Sequence, residues 1–270
     1  MKRFQAPLLL IVAAISVDVV SSLAPQNGGH QSWERTSNID AQTDAYTAIS
    51  RRNLFGLGLS SVALLGMRPY IDEVQAFPNK ISTKYDDRPK RRGPQPKDLG
   101  VGPRTDMVGE EYIGLKHCGG APNCFCSTED PEDDPEHYIP AWIWPKDLDK
   151  KHAFEQLEDV IKAYEPGQNG VDGGGFQIIK SNLENGYIYT QFEALKNGYV
   201  DDFEVAYVDG ARGGDRAVQI RSSSRVGYLD FGVNGKRVNY IAEKLRAKGW
   251  NAPGVDYDTH RDYAIQNEVV

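Results

Sequence analysis

"NGYIYTQFEALKNGYVDDFEVAYV", residues 185–208, decides the fold. Ile188, Thr190, Phe192 and Ala194 fall on one side of an extended chain, and Tyr187, Tyr189 and Gln191 fall on the other. Phe203, Val205 and Tyr207 alternate in the same way with Glu204 and Ala206. A period of two is the signature of half-buried strands. The Asn-Gly pairs at 185–186 and 197–198 are the residues that tight hairpins want, because both tolerate positive φ. Working outward, "GFQII" (175–179) places Phe176 and Ile178 together, and "RAVQIRS" (216–222) does so with Val218 and Ile220. The separators are too short for parallel crossovers, so the four strands form an antiparallel meander.

Helical spacing flanks this meander. Phe154, Leu157, Ile161 and Tyr164 recur at three and four residues, with Pro166 and Gly167 as a stop, predicting a helix over 151–164. Val238, Ile241, Ala242 and Leu245 predict a second over 234–248, with Lys244, Arg246 and Lys248 at its negative end and Gly249 as terminator. "IPAWIWP" (139–145), bounded by prolines, reads as an edge strand. The expected class is α+β: a four- to five-stranded antiparallel sheet with two helices packed on one face, in the order strand, helix, four strands, helix.

The remaining chain divides by composition. Lys2 and Arg3 precede an apolar stretch from Pro7 to Val20, with Ser21 and Ser22 after it, the layout of a signal peptide over 1–22. Residues 23–49 open with "LAPQ", which resembles the junction of plastid presequences in algae with secondary plastids. Glu34, Asp40 and Asp44 make this transit-peptide stretch more acidic than is usual. Residues 50–76 carry Arg51 and Arg52 before a mostly apolar run that is shorter than the roughly 18 to 20 residues of a spanning helix. "VQA" (74–76) then offers a cleavage site, so the stretch looks like a twin-arginine export signal. The competing reading, an amphipathic core helix, fits Gly56, Gly58 and Gly66 poorly. Three addresses in this order lead to the thylakoid lumen. Residues 77–116 read as an extended basic and Pro-rich arm, 117–250 as the folded domain and 251–270 as a polar tail. Arg88, Lys90, Arg91 and Arg92 in the arm suit either solvent or acidic headgroups.

With 270 residues, 40% hydrophobic and 26% charged, the chain has enough apolar content for a globular core. Cations and anions balance within residues 1–76, so the net charge of −7 belongs to the rest. That sign excludes a nucleic-acid partner, whose phosphates call for a basic face.

The densest polar stretch is "QIRSSSRVGYLDFGVNGKR" (219–237). Lys236 and Arg237 stand at a helix start, where carboxylates are preferred. Two readings compete. In one, Arg221, Ser222, Ser224, Arg225, Asn234, Lys236 and Arg237 converge on an anion site for a phosphate, lipid headgroup or carboxylate. In the other, Asp201, Asp202 and Asp230 pair with Arg221 and Arg225 to brace sheet against helix, with Asn234 as N-cap. Together with "PNCFCST" (122–128) and "GYVDDFEV" (198–205), this stretch resembles the domain of unknown function 1499 family over roughly 117–250. "IPAWIWP" and "GWNAP" are similar to its plastid branch. The chain departs from the family at Cys126, where serine is usual. By name, the family implies no activity.

Cys118, Cys124 and Cys126 crowd one loop. Cys118 bridged to Cys124 or to Cys126 suits an oxidising lumen and leaves one thiol free. With His117 they form a second option, a zinc site, but the spacings match no familiar knuckle. The sequence contains no nucleophile elbow, Walker loop or dinucleotide fingerprint, and it designates no catalytic residue, metal or cofactor. The expectation is a lumenal binding or accessory factor whose partner is a thylakoid membrane protein complex, an anionic lipid or a small anion. The alternative is an enzyme on a phosphorylated or carboxylated substrate, acting through Asp201, Asp202 and the arginine corner.

Overall fold

A computed structural model describes residues 77–106 and 109–269. The three expected sorting segments, 1–22, 23–49 and 50–76, lie outside the described residues. The meander forms as the alternation requires: β5 (Gly175–Asn182), β6 (Tyr187–Glu193), β7 (Val200–Tyr207) and β8 (Ala217–Ser224) pair antiparallel in sequence order. Gly186 turns β5 into β6 at φ +71°, and a Cβ there would sit 2.8 Å from that of Tyr207. Only glycine satisfies both constraints without strain.

The sheet has six strands rather than four or five. β3 (Cys124–Cys126) and β4 (Trp142–Ile143) both pair with the outer edge of β8, through Cys126↔Arg221 and Trp142↔Val218. β4 is the expected proline-bounded edge strand, reduced to two residues. β1 (Gly102–Thr105) and β2 (Glu111–Gly114) make a separate hairpin.

Helix α1 (Lys150–Lys162) starts where Asp149 accepts a hydrogen bond from the His152 backbone N–H at 2.9 Å. It turns Ala153, Phe154, Leu157, Val160 and Ile161 inward. Helix α2 (Val233–Arg246) buries Val238, Ile241, Ala242 and Leu245. These side chains share one apolar cluster with Ile188, Phe192, Phe203, Val205, Val218 and Ile220 of the sheet. Each fully buried Phe, Leu or Ile there contributes about 1.5–3 kcal/mol of transfer free energy.

Two segments depart from expectation. The arm does not run free: the Gly100 N–H donates to Glu204 at 2.6 Å, the Leu115 N–H to Gln219 at 2.9 Å, and Arg92 Nε to Glu193 at 2.8 Å. It roofs the second face of the sheet, so that Glu193, Asp202, Glu204 and Arg221 are buried there. Nor are residues 251–269 a tail. Trp142 donates to the Pro253 carbonyl at 2.9 Å, and Tyr263 of α3 (Arg261–Gln266) enters the main core edge-on to Phe125.

Candidate functional site

Alternation along β8 splits the expected anion corner across the sheet. Ser222 and Ser224 face α2, whereas Arg221, Ser223 and Arg225 face the arm. The three arginines do not converge.

On the α2 side, Arg237 is fully buried and uses every N–H it has. Nε and Nη2 grip Asp172 at 2.9 and 2.5 Å, Nη2 reaches Asp201 at 2.7 Å, and Nη1 donates to Asn234 at 2.7 Å and Ser222 at 3.2 Å. The Phe192 ring lies 4.7 Å beneath the guanidinium. A guanidinium has five donors, and all five are occupied. The start of α2 is filled as well. Asp230 accepts from the Gly232 N–H at 3.1 Å and the Asn234 N–H at 2.7 Å, and its carboxylate stands where an external anion would bind. Gly232, not Asn234, is the N-cap. Lys236 is half-buried beside it.

On the arm side, Arg225 holds Asp202 by two bonds of 2.7 and 2.9 Å, and Tyr189 donates to the same carboxylate at 2.5 Å. Arg221 lies 3.8 Å from Glu204, too far for a hydrogen bond. Burial raises the Glu204 carboxyl above its ordinary value of 4.5, against the pull of Arg221 and the donors Tyr187 and Gly100. The bracing pairs are therefore Asp201 with Arg237 and Asp202 with Arg225, while Asp230 pairs with helix N–H groups and with Tyr263. Asp201 and Asp202 lie on opposite faces and cannot act on one substrate.

Cys118 bridges to Cys124. Cys126 stays free and buried, its Sγ 3.3 Å from the Lys116 carbonyl and 2.9 Å from Thr128 Oγ1. Burial pushes its thiol up to about 11, against the Thr128 hydrogen bond, so it is neither nucleophile nor ready ligand. Among the described residues no group of His, Cys, Asp and Glu is arranged to hold a metal.

A cavity of about 740 Å³ opens elsewhere, where the β1–β2 turn, the stretch after β3 and the β7–β8 turn meet. Asp106, Glu110, Glu111, Glu129, Asp130, Asp133, Asp134 and Asp209 are among its lining residues. Arg212 is the one arginine among its lining residues, and no lysine joins it. Arg212 is taken by Asp130 at 2.8 Å and by the Glu129 carbonyl at 3.2 Å. A hydrogen bond from the Glu132 backbone N–H, and then one from Arg212, hold the Asp130 carboxyl below the usual range. His117 fixes the rim: its Nδ1 is 2.6 Å from Glu129, which also accepts from the Cys118 N–H at 2.5 Å. The His117 Nε2 is sealed from solvent, so this dyad braces the disulfide loop and presents no base to a substrate. Sequence reasoning passed over this site. Its signal was the acidic run "EDPEDDPE" (129–136).

No curated protein and no solved structure matches the chain. The region that carries the disulfide loop, the arginine braces and most of the sheet does have a counterpart: residues 114–245, from the last residue of β2 to the penultimate residue of α2, match the model of the family described as protein of unknown function (DUF1499).

Proposed function

We propose that the chain is a binding or accessory protein of the thylakoid lumen, and that its body takes up a cationic ligand, an amine or a Lys- and Arg-bearing segment of a membrane protein complex. The observation that carries this reading is the carboxylate-walled cavity, where Glu110, Glu111, Asp133 and Asp209 are exposed. Wall charges of one sign in a concave site raise the local concentration of opposite charge. In the arginine corner, Arg225 and Arg237 already hold the protein's own carboxylates, which favours the cavity over that corner. The location rests on the order of the three sorting segments in residues 1–76.

Calorimetric titration of the full chain with a short oligolysine tests the ligand class. Saturable binding is expected, weakening as salt rises. The double substitution Asp133→Asn, Asp209→Asn should lower affinity about tenfold, equal to some 1.4 kcal/mol. Unchanged affinity in the double variant, or no binding at low salt, would remove the cavity from consideration. The location is tested separately: a fluorescent fusion should lose lumenal delivery when Arg51 and Arg52 both become Lys.

A further inference from the structure

The loop between β8 and α2 holds a residue that the fold itself does not call for. Phe231 sits at φ +55°, a left-handed conformation in which a bulky side chain is strained and glycine is not. Its backbone is fixed there by α3, because Asn267 Oδ1 accepts from the N–H groups of both Asp230 and Phe231 at 2.9 Å. The ring faces outward, the residue being 64% exposed. Tyr228, three residues earlier in the same loop, is 60% exposed, and Ile265 of α3, two residues before the Asn267 clasp, is 56% exposed. Strain retained for an outward-facing ring marks a residue whose side chain serves a contact beyond the fold.

Positive charge lies beside this loop. Gly93 of the arm packs on its first residues, and a Cβ on Gly93 would lie 2.7 Å from Val226 and 3.1 Å from Arg225. Arg91 and Tyr228 are each two residues from that contact, within about 7 Å along the chain. Of the arm's cations, Lys90 and Arg92 are drawn into Glu193, while Arg88 and Arg91 remain exposed. Exposed Tyr and Phe beside exposed Arg is the composition that settles at a lipid interface, with rings at headgroup depth and guanidinium groups on anionic headgroups. No helix among the described residues is long and apolar enough to cross a membrane.

We propose that Tyr228 and Phe231, flanked by Ile265 and supported by Arg91, dock the folded body on an anionic membrane surface. This surface is separate from the acidic cavity and stands or falls without it.

The test places an environment-sensitive fluorophore on Tyr228→Cys in the full chain. The native cysteines do not compete, since Cys118 and Cys124 are bridged and Cys126 is buried. Phosphatidylcholine vesicles containing phosphatidylglycerol should shift the emission to the blue, less so at high salt, and phosphatidylcholine alone should not. Adding Phe231→Gly should raise the half-saturating lipid concentration about tenfold, the scale of one buried ring, without lowering the unfolding temperature. The proposal is overturned by an unmoved probe, which adsorption through residues 1–76 alone would give, or by an equal shift on neutral vesicles. It is equally overturned by a shift indifferent to Phe231→Gly, or by one that appears with protein concentration and no lipid, which would assign the loop to a second copy of the chain.

Discussion

Arg237 shows how a charge at an unfavourable helix position becomes structural. Its place at the start of α2 conflicts with the helix dipole, and that conflict was legible in the sequence. Its partners were not, because Asp172 lies 65 residues away in a loop with φ +55° and Asp201 lies on β7. The separation of Arg221 from Ser222 was legible in principle, since neighbours on a strand point to opposite faces. Treating 221–225 as one corner ignores that period. Replacing Arg237 with Met strands two buried carboxylates, and chemical denaturation should register a loss of about 3–5 kcal/mol. Adding Asp172→Asn and Asp201→Asn to that variant should recover much of the loss. A single variant as stable as the wild type would show that the triad contributes no net stability.

At the scale of elements, β5 to β8, α1 and α2 were readable because each carries several periods of its own pattern. β3 and β4 have three and two residues and exist through pairing with β8, which no local periodicity announces. The arm was misread for a related reason: proline and charge describe its backbone preference, while its place is set by single backbone N–H groups that satisfy buried acceptors across the sheet. Roofing this face has an energetic consequence at Glu204. Its carboxyl is raised by burial, so the folded protein takes up the proton at a higher pH than the unfolded chain does. The group is then most favourable to folding below its ordinary value of 4.5, and that contribution is lost as pH rises through the raised value. Glu204→Gln should therefore be more stable than the wild type at neutral pH, with the gap closing on acidification. Urea midpoints measured across that range check the sign, and a gap that widens in acid would mean that Arg221 outweighs burial.

Across the whole molecule, carboxylates gather around the cavity, while Lys90 and Arg92 of the arm are paired with Glu193. That cavity draws on three separate parts of the chain. A site assembled from turns carries no compact motif, which is why the polar stretch before α2 looked like the functional one. The two regions respond to different ligands, and hydrogen exchange can locate each response. Exchange should be recorded on the full chain alone, with oligolysine, and with inorganic phosphate. The account predicts added protection over 110–113, 129–134 and 208–212 with oligolysine, and none over 221–237 with phosphate. Protection of 221–237 by phosphate, with the cavity segments unmoved by oligolysine, would contradict it.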